Sequence, residues 1–318
     1  MSHLYKFLAI SLIATLFSSC LRESESELEQ VIARDNAILE RYIQNNQINA
    51  TRTQSGFFYQ KLTQNSEGAE IQNDDYVGVY FEIRSLDGQL VKSHMDETKE
   101  PIIFKQSMDG IWPVVFAYAA GLSRVGEELM VYSPSYLAFG SYGYQQLILS
   151  NSNLVIRLKI ARKYTLDELK AREKEMILDY IEANDLQGFE EIADGIFRRI
   201  LDAGDSGKNP SVNSSIVVFN FELFQLGDSR TTFESTPASR PSITIGATGG
   251  LRFLDRGLLG VRQDAEIEVL AYSFAAYDGS IQIIPSEIRE DLFMKGEQID
   301  LVRPFTPVLL KATIWSVL

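Results

Sequence analysis

The sequence predicts an α+β protein in which one helix-plus-sheet unit occurs twice. Three observations carry that prediction. The chain has 318 residues, about two domains' worth. It also repeats itself. Leu39-x-x-Tyr42-Ile43-x-x-Asn46 returns as Ile177-x-x-Tyr180-Ile181-x-x-Asn184, and Gly56-Phe57-Phe58 with Leu62 as Gly195-Ile196-Phe197 with Leu201. Phe81-Glu82 returns as Phe221-Glu222 and Gly121-Leu122 as Gly257-Leu258, with an offset near 138 to 140 over much of each half. A drift of this size is what loop insertions produce in a duplicated unit. Finally, each half opens on a helical period and continues in runs of strands, which points to α+β and not to an alternating parallel sheet.

In chain order, residues 1–19 read as a signal peptide: Lys6 precedes an uncharged apolar run, Phe7 to Phe17, too short to span a bilayer comfortably. Leu16-Phe17-Ser18-Ser19-Cys20 resembles a bacterial lipobox, which makes the sole Cys the lipidation site and new N-terminus. The alternative is cleavage nearby with Cys20 incidental. Removal of residues 1–19 takes the net charge from −13 to −14. Residues 20–27 then form an acidic tether. The expected location is the cell envelope, held to a membrane through the lipid and facing the periplasm or the cell surface.

Residues 28–164 make the first unit and 165–318 the second. Ser26-x-x-Glu29 and Thr165-x-x-Glu168 have the form of capping boxes. Behind them, Leu28, Val31, Ile32, Ile38, Leu39, Tyr42 and Ile43, and Leu166, Leu169, Met176, Ile177, Tyr180 and Ile181, follow a helical period. Val77, Val79, Phe81 and Ile83 alternate as a strand, as do Val217, Phe219, Phe221 and Leu223. Leu154 to Ile160 and Val308 to Ile314 are the matching later strands. No Pro- or Ser-rich linker separates the halves, so the second helix is the connector.

Composition narrows the function. Asp plus Glu is 43 against 30 Lys plus Arg, which argues against a nucleic-acid partner. One Cys excludes an intrachain disulfide and a Cys-based metal site. With only two His, His3 and His94, most His-dependent chemistry is excluded as well. The 18 Phe, 14 Tyr and 2 Trp are enough to fill two cores. Ser93-His94-Met95-Asp96 is not a triad, because adjacent residues lack the geometry, and it reads as an exposed loop. Gly246-Ala247-Thr248-Gly249-Gly250 lacks the Lys-Ser/Thr of a P-loop and reads as a turn.

One set of motifs carries a family resemblance. Asp87-Gly88, Pro101-x-x-Phe104, Val114-Val115-x-x-Tyr118-x-x-Gly121-Leu122, Val125-Gly126-Glu127, Ser133-Pro134-Ser135-Tyr136-Leu137-Ala138-Phe139-Gly140 and Asn153-Leu154-Val155-Ile156 resemble an FKBP-type peptidyl-prolyl isomerase domain over residues 70–164. Residues 210–318 are similar but looser, through Gly227-Asp228, Phe233-Glu234-Ser235, Pro241, Leu251-x-x-Leu254-x-x-Gly257-Leu258, Ala275-Ala276-Tyr277 and Leu310. The preceding helices resemble appendages of bacterial lipoprotein members, including those linked to gliding motility.

The resemblance implies two tandem FKBP-like domains, each a twisted antiparallel sheet wrapped round a short helix. It also implies isomerisation of X-Pro bonds in proline-containing envelope polypeptides, with no cofactor and no metal. The first substrate-binding wall would be Phe81, Val91, Phe104, Val114, Val115 and Ile156, with Tyr118 and Phe139 as catalytic groups. The second would be Phe221, Phe233, Leu251, Leu254 and Leu310, with Tyr277 and Glu234 as catalytic groups. Departures are visible. Val91-Lys92 stands where the family has an aromatic–acid pair, Tyr118 where a Trp floor is common, and Phe139 where a ligand-binding Tyr hydroxyl is usual. In the second half Leu254 shrinks the floor. The stretch from Tyr277 to Leu310 is about sixteen residues longer than its counterpart, as a flap over the second pocket would be. The other reading is a catalytically silent lipoprotein that binds peptides or subunits during envelope assembly.

Overall fold

The computed structural model describes residues 26–297 and 299–318. Cys20, the leader and most of the tether lie outside the described residues. Both expected capping boxes are formed. Ser26 starts α1 (Glu27–Asn45): its hydroxyl accepts from the Glu29 N–H, and the Glu29 carboxylate accepts from the Ser26 N–H at 2.7 Å. Thr165 and Glu168 make the same pair ahead of α3. Each box satisfies donors that the first turn of a helix leaves free. Buried Asp35, Leu39 and Ile43 line one face of α1, at the four-residue spacing that stacks side chains.

The first half continues with β1 (Thr51–Arg52), β2 (Phe58–Thr63), β3 (Tyr76–Ser85), β4 (Leu90–His94), β5 (Ile102–Lys105), β6 (Ile111–Trp112), α2 (Val115–Gly121), β7 (Glu128–Ser133) and β8 (Leu154–Tyr164). The second half runs α3 (Leu166–Ala183), β9 (Glu190–Ala193), β10 (Ile196–Asp202), β11 (Ile216–Gln225), β12 (Thr231–Glu234), β13 (Ser242–Thr244) and α4 (Arg252–Gly257). It ends with β14 (Glu266–Ala271), α5 (Ser273–Ala276), β15 (Gln282–Ile283), α6 (Arg289–Met294) and β16 (Val308–Val317). The peptide bonds Trp112–Pro113 and Ile284–Pro285 are cis.

The duplication read from the sequence is present in the sheets. The first seven-stranded sheet has the order β1-β2-β7-β8-β3-β4 with β5 on β3, and the second β9-β10-β14-β16-β11-β12 with β13 on β11. All these pairs are antiparallel. Even the irregularities repeat. The bulges between Lys61 and Thr63, Gly78 and Val79, and Ile83 and Arg84 recur between Ile200 and Asp202, Val218 and Phe219, and Leu223 and Phe224. Bulges bend and twist a strand, so both sheets curl at the same places. Gly56 and Gly195 both have positive φ, and a Cβ there would lie 2.0 Å from the Tyr136 hydroxyl and 2.2 Å from the Tyr272 ring respectively.

Each long helix is fastened to its half by the same latch. Asp35 on α1 accepts from the Ser135 N–H and hydroxyl, at 2.8 and 2.6 Å. Glu173 on α3 accepts from the Ser273 N–H and hydroxyl, both at 2.6 Å. Apolar packing surrounds each latch, with Leu39 and Ile43 against Phe58 and Tyr132, and Ile177 against Phe197, Tyr272 and Leu309. Among the described residues no helix is long and apolar enough to cross a membrane.

Candidate functional site

The short helices α2 and α4 lie against the inner faces of the two sheets. Strand alternation sends every second side chain toward them. In the first half Phe81, Val91, Phe104, Val115, Phe139 and Ile156 are buried in one apolar cluster, and Val114 and Tyr118 are partly buried against it. All eight expected first-wall residues are therefore brought together. Phe81 meets Phe116 edge-on at 5.5 Å. Ala117, Ala119 and Ala120 keep α2 slim enough to sit in the curl of the sheet.

Two residues that sequence reasoning missed complete this wall. Trp112 meets Phe139 edge-on at 4.9 Å and Tyr142 at 5.5 Å. Tyr118 turns instead toward buried Phe57, with ring centroids 6.3 Å apart. His94 ends β4 and is not in a loop: its ring stacks on Tyr80 at 5.7 Å, and Nε2 lies 2.8 Å from the Glu100 carbonyl.

The additional stretch before β16 does not simply cover the second wall. It crosses to the first. β15 pairs in parallel with β6, Gln282 opposite Ile111 and Ile283 opposite Trp112. Ile283, Ile284, Ile288 and Leu292 are buried in the same cluster as the first wall. Lys92, which stands where the resemblance implies an acid, forms an ion pair with Glu287 of this segment. The later part of the stretch reaches back: the Phe293 ring of α6 lies 6.4 Å from that of Phe233, and Val302 is buried in the second cluster.

The second wall is more open. Leu310 is buried, while Phe221, Phe233, Leu254 and Tyr277 are partly buried against the same cluster. Tyr277 lies between Phe233 at 6.4 Å and Phe253 at 6.2 Å. Burial, with a smaller contribution from Asp300, pushes its phenol up to about 12. It is therefore a neutral hydrogen-bond donor over the physiological range. Two expected members are absent from this wall. Glu234 is exposed, because neighbouring residues on β12 point to opposite faces and Phe233 takes the inward one. Leu251 is exposed at the N-cap of α4, one residue before the helix, and Phe253 fills the core instead.

Tyr277 also lines a cleft of about 180 Å³ between the halves, with Tyr76, Phe274, Phe305, Lys105 and Asp109 among the other lining residues. A groove of about 440 Å³ of mixed lining lies on the second sheet, with Phe221 and Ile267 beside Asn220, Glu222, Glu268 and Lys311.

No protein-family model matches the chain. No curated relative matches it either. Solved structures do. The three FKBP domains of wheat FKBP73 are 17% identical, cover 83% of this chain and 96% of their own, and superpose with a TM-score of 0.33. A peptidyl-prolyl cis-trans isomerase from Pseudomonas syringae pv. tomato is 17% identical, covering 45% of this chain and 99% of its own, with a TM-score of 0.35. FkpA from Escherichia coli is 21% identical, covering 48% of this chain and 71% of its own, with a TM-score of 0.35.

Proposed function

We propose that this chain is a lipid-anchored, FKBP-type folding factor of the cell envelope, and that its working pocket is the second one, around Tyr277. The observation that carries the reading is a half-buried, neutral phenol held between Phe233 and Phe253 on an apolar wall. Amide resonance gives the X-Pro bond a barrier of about 18–20 kcal/mol. An apolar wall that strips water from the amide favours the twisted, less polar form. The Tyr277 hydroxyl would donate to the substrate carbonyl and hold it. Neither a nucleophile nor a general base is needed.

The test is proline-limited refolding of a client by the full mature chain. Acceleration is expected, with about a tenfold loss in Tyr277→Phe, the loss of about one net hydrogen bond. The Tyr118→Phe chain should keep its rate, since Tyr118 packs on Phe57. No acceleration by the full chain, or equal acceleration by Tyr277→Ala, rejects the isomerase. The second reading is a silent binding protein in envelope assembly. The first half favours it, because Phe139 has no hydroxyl and Lys92 is taken by Glu287. It predicts a stable envelope partner with no isomerase rate. The anchor is tested separately: Cys20→Ala should abolish fatty-acid incorporation and release the chain from membranes.

A further inference from the structure

We propose that residues 280–296 are a tethered ligand of the first-half pocket, and that the rim of this pocket, through Lys92 and Tyr142, selects segments with acids beyond their buried apolar residues. The proposal goes beyond the isomerase reading and does not rest on turnover.

The segment is held as a recognised peptide is held. The Gln282 N–H donates to the Gly110 carbonyl and the Ile284 N–H to the Trp112 carbonyl, both at 2.9 Å. This is strand addition to β6, the mode in which main-chain bonds give affinity and side-chain pockets give specificity. Ile283, Ile284 and Pro285 are buried, while the next two residues, Ser286 and Glu287, are exposed. Two of the three acids that follow find polar partners on the rim, while Glu290 faces Arg230 of the second half. Glu287 pairs with Lys92. Asp291 accepts from the Tyr142 hydroxyl at 2.7 Å. Apolar anchors in the centre with charge selection at the edge is the pattern of a specific interface.

The segment is also preformed. Buried Arg289 donates to the Asp300 carbonyl at 2.6 Å and to the Ile281 carbonyl, tying the start of the insertion to its end. Gly279 precedes it and Gly296 closes it, both at positive φ with open space where a Cβ would be. Because it belongs to the same chain, the segment competes at an effective concentration of about millimolar, so a peptide in solution binds only when the segment is displaced.

The experiment uses the full mature chain and a labelled peptide of the chain's own residues 280–296. Ile284→Asp places a charge in the apolar cluster and should eject the tethered copy. The I284D chain should bind the peptide at least tenfold more tightly than the wild type. Adding Lys92→Glu should reverse the preference, so that a peptide carrying Glu287→Lys binds at least tenfold better than the natural one. Binding no stronger than to the wild type, or indifferent to the charge at Lys92, overturns the proposal. If I284D does not fold, hydrogen exchange of the wild type decides. The Gln282 and Ile284 amides should exchange at least a hundredfold faster than those of Ile156 and Leu158. Equal protection means a permanent core element and overturns the proposal. Neither readout uses isomerase activity, so failure of the isomerase reading leaves this test intact.

Discussion

Asp35 and Glu173 occupy equivalent places and bond equivalent serines, yet their surroundings differ. Asp35 has Arg34 at 2.6 Å on its other oxygen. Glu173 gives one oxygen to the Ser273 N–H and the other to the Ser273 hydroxyl, while its neighbour Arg172 reaches away to Glu100. Burial outweighs the serine bonds and raises the Glu173 carboxyl from 4.5 to about 6, with Asp278 adding to the rise. A carboxyl raised in the folded state favours folding when it is protonated. Its contribution is full below about 4.5 and is lost as pH rises through about 6. The difference is about 2 kcal/mol. Glu173→Gln mimics the protonated form, so the stability gap between variant and wild type should widen in favour of the variant from pH 4.5 to 7. Urea midpoints followed by circular dichroism across that range check this, and parallel curves would refute it. The glutamate itself was plain in the sequence, but its task was not, because Ser273 lies a hundred residues away.

The elements divide by how local their causes are. Both long helices and both caps could be read from the sequence because a capping box spans four residues and an amphipathic face recurs within a turn. The strands could be read because their alternation is local as well. The wall of the second pocket was only half legible. Alternation on β12 separates Phe233 from Glu234, so the two cannot share one wall as the resemblance implies. The extra stretch was legible as length but not as destination, since β15 pairs about 170 residues back along the chain. The latch and the cap make contrasting predictions for α1. Ser26→Ala removes an exposed cap and should cost about 1 kcal/mol. Asp35→Ala removes the buried acceptor of the Ser135 hydroxyl and one acceptor of its N–H, and should cost about 2–3 kcal/mol. Denaturant unfolding of the two variants gives the order; equal losses would mean that apolar packing of Leu39 and Ile43 alone docks the helix.

At the scale of the molecule, the two repeated units are not strung in line but share a core. Ile283, Ile284, Ile288 and Leu292 belong by sequence to the second half and by packing to the first. A smaller contact stands beside this one: Tyr76 meets Phe274 and Phe305 at 6.1 and 5.7 Å, and Arg172 bonds Glu100 and the Phe305 carbonyl. Without its occupant the first half would expose Trp112 and the apolar face beyond Phe139, so its stability depends on the second half. The wild type should therefore unfold in a single calorimetric transition despite its duplicated plan. Ile284→Ala with Leu292→Ala removes two buried anchors, each worth about 2–5 kcal/mol. The variant should show two transitions, the lower one belonging to the first sheet, because the aromatic contact at Tyr76 is too small to hold the halves to one temperature. Phe305→Ala, which weakens only that smaller contact, should leave one transition. If the double variant still unfolds in one step while Phe305→Ala splits it, the coupling runs through Tyr76, Phe274 and Arg172, and the segment is a passenger on the first wall.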